Sequence, residues 1–502
     1  MNTKRNIIAN VGGRVWQSLM SFAFVPFYIH FMGVEAYGLI GVFTTLLAVF
    51  AVLDLGASTT VTRELSRLSG PEGQANARTL TRTLEWIFWG VGVIIAASIA
   101  FSAHFIATKW LNVHSLAPEE TIRAIKCMAI TALLRWPGTL YTGALMGLRS
   151  HVTLNLISAF AAALQGLGAV LVLWLVSPSV TAFFTWQIIV AALQIVLLYA
   201  ETWRRLRLKD HSAEFRWSVL RPVVAFSAGL TGITLMSTIL MQLDKLMLSG
   251  LVPLKTFGYY TLASAIANVL AAAASAVFGA VLPSLSLLVA EDREEEVVRV
   301  YHKGSQLLSV LLMPVAAMIF FFSPELLAAY VHNPQIVKSA HAILSVLVLA
   351  FMFNSIMLMP LALQYAFGWT RLVLGTNIVV VIVFIPMLWL LITQFGAIGA
   401  AYAWLLVSAS YILVMINMMH RRILPDEKMQ WYVIDFGRPL VASFSIMGLV
   451  RLIMPSGIPL IAGLIVIGTA FGCALVATAA ILPTIRIQIL RTIFKREENG
   501  YA

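Results

Sequence analysis

The chain has 502 residues, 60% of them hydrophobic and only 11% charged, with a formal net charge of +12 and a mean hydropathy of +0.89. A soluble fold of that size could not bury so much apolar surface, nor cover what remained with so few charges. A bilayer can surround it, provided that helices satisfy their own backbone groups. A span takes about 20 mostly apolar residues. Such stretches lie near 7–31, 38–63, 83–107, 121–145, 152–176, 182–201, 222–249, 257–289, 304–323, 336–363, 372–392, 397–419, 437–454 and 459–484. The expected fold class is therefore an all-α polytopic membrane protein of about fourteen helices.

The first stretch is too long for a signal-peptide core and no small-residue cleavage site follows it, so it is expected to be a retained helix. It carries Asn6, Asn10, Arg14, Gln17 and Ser21 on one helical face. The second span encloses Asp54. The fourth carries Cys127, Thr131, Arg135, Gly138 and Thr142 near one face, with Trp136-Pro137 after the arginine. The seventh carries Ser227, Thr231, Thr234, Thr238, Gln242 and Lys245 as a stripe, with Asp244 beside it. A mid-membrane charge costs about 2.5–3.5 kcal/mol on insertion scales, so such residues face partners or water. Asp54 is the expected partner of Arg14 or Arg135. Pro26, Pro137, Pro283, Pro314 and Pro360 fall within spans, where each can kink a helix.

Charge asymmetry sets the expected topology. With the N-terminus placed in the cytoplasm, 25 of the 34 Lys and Arg fall on inner segments and six on outer ones, the remaining three being Arg14, Arg135 and Lys245 within spans. That is the positive-inside pattern, and it reads the net charge as topology and lipid contact rather than nucleic-acid binding. The connections are short and hold no catalytic domain. The cysteines, Cys127 and Cys473, imply neither a disulfide framework nor a metal cluster. The chain carries no GxGxxG, Walker A, GxSxG or HExxH signature, so no cofactor is expected and an ATP-driven pump is disfavoured.

The chain also reads as if written twice. GALMGLRSHVTLN places Arg149 six residues before Asn155, and LALQYAFGWTRLVLGTN places Arg371 six before Asn377. The FMGVEAYGLIG and LSGLVPLKTFGYY turns form a second pair. Both pairs lie six spans apart in the same sense. The expected organisation is an N-terminal lobe over 1–210 (helices 1–6), a C-terminal lobe over 211–420 (helices 7–12), and two further helices with a cytoplasmic tail over 421–502. Repeated helical lobes are a transporter design with the substrate between them. The intramembrane charges, Arg14, Arg135 and Lys245 against Asp54 and Asp244, leave a slight cationic margin. A cationic, amide-lined cavity suits an anionic head group that carries hydroxyls.

The opening Lys4-Arg5 helix, the FMGVEAYG turn, AVLDLGAS, LDKLMLSGLVPLKTFGYYTLASAIANVL and the late FGAIGAAYAW passage resemble one family along the whole chain. This is the polysaccharide repeat-unit flippases of the O-antigen and exopolysaccharide type, in the multidrug/oligosaccharidyl-lipid/polysaccharide exporter superfamily. The resemblance implies translocation of undecaprenyl-pyrophosphate-linked oligosaccharides across the bacterial inner membrane by alternating access coupled to an ion gradient, in a protein that is not an enzyme. Asn10, Arg14, Gln17, Arg135, Gln242 and Lys245 are the expected substrate-binding residues, and Asp54 and Asp244 the expected ion-coupling ones. The implied partners are the lipid-linked oligosaccharide, membrane lipids, a polysaccharide polymerase and a chain-length regulator. A lipid II flippase or a drug/cation antiporter of the same superfamily is the alternative. Both termini should be cytoplasmic. Reporter fusions or cysteine labelling at positions 35, 210, 297 and 498 check this: labelling of 210 or 498 from outside contradicts the topology.

Overall fold

The computed structural model describes residues 16, 20, 22–54, 56–67, 70–206, 215–217, 220–455 and 457–487, with side chains left aside at 52, 70–72 and 220–235. Among them the regular structure is helical. The elements are α1 Val25–Ala51, α2 Ala57–Arg67, α3 Gly70–Phe105, α4 Pro118–Gly147, α5 His151–Leu175, α6 Val180–Arg205 and α7 Leu220–Leu251. They continue as α8 Leu254–Ala290, α9 Glu294–Val331, α10 Pro334–Ala366, α11 Thr370–Phe395, α12 Ala397–His420, α13 Pro425–Ile453 and α14 Leu460–Ile481. Eleven of the described helices are long and apolar enough to cross a membrane. The chain is a multi-pass membrane protein.

Most expected spans coincide with helices to within a few residues. The first departure is at the start. The expected boundary between the first two spans falls inside α1, where Gly33 takes φ 84° and breaks the helix. The second departure matters more. The second span is not one helix: it leaves α1 through a short 3-10 turn, Val52–Asp54, passes Gly56 at φ 76°, and restarts as α2. Four π-helical turns occur among the described residues, at Ile106–Trp110 just after α3, Leu164–Gly168 in α5, Tyr411–Met415 in α12 and Trp431–Gly437 in α13.

By internal packing the chain divides into two compact units, Met1–Thr261 and Leu262–Ala502. In the first, α4 packs against α3, α6 and α2, and α7 lies against α1. Glycine makes the closest approaches possible. Gly143 and Gly147 lie four apart on α4, and a Cβ on them would stand 2.5 Å from the Ser58 carbonyl oxygen and 2.7 Å from that of Thr62. The Thr62 hydroxyl donates to the Gly143 carbonyl at 2.9 Å. Small residues at this spacing let helix backbones meet in lipid. In the same unit Gly38 faces the start of α8, where an added Cβ would stand 2.6 Å from the Leu254 carbonyl oxygen, and one on Gly258 would collide with that of Val34. The two glycine-tyrosine turns thus pack on each other. Glu35, 5% exposed, closes this corner by accepting the His114 and Ser115 backbone N–H groups at 2.6 and 2.9 Å. In the second unit α9 packs against α10, α13 and α14, with Phe322, Met447 and Ile467 in the core.

The Arg–Asn interval does not mark equivalent positions. Both turns close with the same paired hydrogen bonds, Arg149 N to Met146 O and Ser150 N to Leu145 O in one, Gly368 N to Tyr365 O and Trp369 N to Gln364 O in the other. This is the Schellman arrangement, with a left-handed residue just past the helix end. That residue is Arg149 in the first turn, at φ 56°, and Gly368 in the second, at φ 67°. Aligned on the turns, Arg149 matches Gly368, and Arg371 falls three residues later in the first turn of α11.

Gly258→Leu should lower stability by about 1–3 kcal/mol, the usual cost of overpacking. A melting curve of the purified protein checks this, and an unchanged Tm contradicts the close approach.

Candidate functional site

The break in the second span creates a helix N-terminus inside the fold, and Asp54 closes it. Its carboxylate accepts the Ser58 backbone N–H at 3.3–3.4 Å and the Ser58 hydroxyl at 2.7 Å. An acidic cap satisfies an orphan donor and complements the positive end of the α2 dipole. Behind this cap lies a cavity of about 580 Å³, wholly within the first unit. Asp54, Ser58, Thr59 and Thr62 line one side, Arg135, Gly138, Thr139 and Thr142 the α4 side, and Gln194 the α6 side, with Gln165 from the α5 π-turn. A π-turn re-aims side chains that a regular helix would point elsewhere.

Among the described lining residues Arg135 is the one cation and Asp54 the one anion, yet no ion pair joins them. One terminal guanidinium nitrogen of Arg135 donates to the Gln187 amide oxygen at 3.1 Å. The guanidinium also lies over the Phe43 ring, 5.8 Å from its centroid. Among the described residues the buried Nε–H has no hydrogen-bond partner. Among the described residues no carboxylate stands within ion-pair distance of Arg135. The expected Asp54–Arg135 pair is therefore absent, because the fold spends the carboxylate on the cap.

The other predicted residues divide. Arg14, Gln17 and Asn10 lie outside the described residues. Gln242 and Lys245 are half-buried on α7 and do not line this cavity. Asp244 is 1% exposed, accepts the Tyr260 hydroxyl and stands 3.5 Å from the Lys245 ammonium. Its second oxygen is buried and has no hydrogen bond among the described residues.

Two polar clusters were not legible as clusters in the sequence. Glu85, 5% exposed, accepts from Arg82 at 2.7 Å, from the Tyr141 hydroxyl and from the Trp203 indole at 3.4 Å, tying α3, α4 and α6 together. In the second unit His302 lies between Asp435 and Glu427. Only the acidic and histidine residues themselves signal these sites; their partners come from helices far apart in sequence.

The family model described as "Polysaccharide biosynthesis protein" matches residues 30–330. The chain belongs to this family. A Shigella flexneri relative described as "Putative O-antigen transporter" is 20% identical over 407 residues, 80% of this chain and 94% of that protein. Two solved structures share the fold. One is a lipid II flippase, MurJ, in an inward closed conformation, with a TM-score of 0.69, 14% identity, and coverage of 95% of this chain and 98% of that one. The other is an inward-facing multidrug resistance MATE family transporter of the MOP superfamily, with a TM-score of 0.63, 15% identity, and coverage of 84% and 96%.

Asp54→Asn keeps an oxygen for the cap, whereas Asp54→Ala removes it. The alanine variant should lose about 1 kcal/mol of stability and the asparagine variant little, by thermal melting. Equal losses contradict the capping role.

Proposed function

We propose that this family member is a flippase that moves undecaprenyl-pyrophosphate-linked oligosaccharide repeat units across the bacterial inner membrane for polysaccharide biosynthesis. The observation that carries the reading is Arg135, a guanidinium whose buried Nε–H has no partner among the described residues, in a cavity lined by hydroxyls and amides. Pyrophosphate supplies the acceptors that the fold withholds, because a guanidinium presents a planar fork of donors matched to phosphate oxygens. Thr59, Thr142 and Gln194 offer hydrogen bonds of the kind sugar hydroxyls accept and donate. The relative named as an O-antigen transporter and the MurJ-like fold support the substrate class and the membrane.

Alternating access between two six-helix lobes, 1–210 and 211–420, belongs to the same proposal, with Arg14, Gln17, Asn10, Gln242 and Lys245 as further substrate contacts. Asp54 and Asp244 are the proposed coupling carboxylates. Asp244 suits this better, because one of its oxygens is buried with no hydrogen bond among the described residues while Asp54 is engaged by Ser58. A drug/cation antiporter draws support from the MATE-like fold. It would use an anionic cavity, and Asp54, the one lining anion, is already committed to Ser58.

Removing a charge-assisted hydrogen bond to substrate costs about 1.5–3 kcal/mol, on the order of ten- to hundredfold in function. Arg135→Ala should therefore lower surface glycan export by on the order of ten- to hundredfold and Arg135→Lys by less, with normal protein level in the membrane. Export measured by glycan staining and protein level by immunoblot test this together. Normal export from Arg135→Ala refutes the role, and loss of the protein from the membrane assigns Arg135 to structure instead.

A further inference from the structure

The second unit holds a buried polar cluster that substrate handling in the first unit does not use. We propose that His302, Asp435 and Glu427 form a proton-binding site whose occupancy holds the α12–α13 connection against α9.

The geometry begins with two helices of different kinds. His302, Gln306 and Ser309 lie on one face of α9 at helical spacing. Facing them, α13 passes through a π-helical turn, Trp431–Gly437, which carries Asp435. The His302 Nδ1 meets the Asp435 carboxylate, and its Nε2 meets that of Glu427 at 2.9 Å. The Gln306 amide donates to the other Asp435 oxygen at 2.9 Å, and the Ser309 hydroxyl to the Asp435 carbonyl at 2.5 Å.

Proton counting follows from these contacts. Each ring nitrogen faces a carboxylate oxygen, which has only lone pairs to offer. A neutral imidazole carries one N–H and can satisfy one of the two. The other contact would then set lone pair against lone pair. The closed cluster therefore holds one proton more than a neutral imidazole with two carboxylates. Among the described residues no Lys or Arg stands within ion-pair distance of Asp435 or Glu427, so the imidazolium is their one cation.

The remaining titratable neighbours are Tyr301 and His420, with Tyr432 beyond. The Tyr301 ring lies against that of His302, and its hydroxyl is 3.4 Å from His420 Nε2. His420 Nδ1 donates to the Leu424 carbonyl at 2.8 Å. Tyr432 donates to the Ile412 carbonyl at 2.6 Å. None of them can replace the missing proton on His302.

Loss of that proton has a defined consequence. Asp435 is 1% exposed in its side chain and held by Gln306, whereas Glu427 is 23% exposed and sits on the short 3-10 turn Pro425–Glu427. Glu427 is the group that leaves, and it reaches water directly. The connection it holds also carries a strained backbone position. Leu424 takes φ 50° and ψ 66°, a left-handed conformation disfavoured for a branched residue. Protonated, the site clamps the connection; deprotonated, it frees it.

Hydrogen exchange of the full-length detergent-solubilised protein tests this, with rates corrected for intrinsic pH dependence. In the wild-type chain, protection over 420–430 should fall about tenfold per pH unit above the titration of an open imidazole, near 6.5, until the closed site itself loses its proton. The sign follows because the closed state binds the extra proton. The α9 core should keep its protection throughout. His302→Gln and Glu427→Gln should each remove the pH dependence, since an amide at either position can donate or accept. Should His302→Gln fail to fold, Glu427→Gln on its exposed turn decides. Wild-type protection that is flat with pH, or the same pH dependence in Glu427→Gln, overturns the proposal.

Discussion

Inside an apolar slab a guanidinium must be given acceptors or water, and Arg135 receives one acceptor from its fold, the Gln187 amide oxygen. The carboxylate that could have neutralised it lines the same cavity but is held by Ser58. The rest of the first unit follows from keeping these groups satisfied and apart. The second span breaks so that α2 can start beside the cavity. Gly143 and Gly147 let α2 approach α4 closely enough to fix that start. The α5 π-turn brings Gln165 to the cavity wall. Each feature is costly in a regular helix, and together they produce a polar chamber with unspent donors.

A broken helix is tolerated at membrane depth only where it lines a cavity or is buried in protein. The 52–56 break meets that requirement, because Asp54, Ser58 and Thr59 line the chamber. The α2 end is closed by Asp54, so the Arg135 guanidinium is the donor left facing this space among the described residues. This suits a ligand that arrives with its own negative charge and leaves again, since the lining carboxylate is bonded to Ser58 and not paired with Arg135.

Much of the architecture was legible in the sequence, for a simple reason. Apolar runs of span length have one stable solution in lipid, so the helix limits from α4 to α8 and from α10 to α12 follow the hydropathy closely, whereas α9, Glu294–Val331, runs past its apolar stretch at both ends. The break at Asp54 was not legible, because AVLDLGAS is apolar enough to read as continuous helix. Its signal was present in the Asp-Leu-Gly-Ala-Ser spacing, which places a cap acceptor and a flexible glycine just ahead of a serine. Arg135 was visible as a lone mid-span charge, but its partner Gln187 lies 52 residues away on α6. Asp54 was read as a counter-ion, when local capping chemistry claims it first. His302 and Asp435 are separated by 133 residues, and no local pattern joins them. The Arg–Asn interval misled because a left-handed turn residue can be either Gly368 or Arg149, so the turns align where the residue types do not.

The central claim is that Arg135 recognises phosphate. Its most direct measurement is the affinity of the purified protein in nanodiscs for undecaprenyl pyrophosphate against undecaprenol, for the wild-type chain and for Arg135→Gln. The account predicts that the wild type prefers the pyrophosphate by on the order of ten- to hundredfold and that Arg135→Gln loses most of that preference while binding the neutral alcohol equally. An undiminished preference in Arg135→Gln would contradict it.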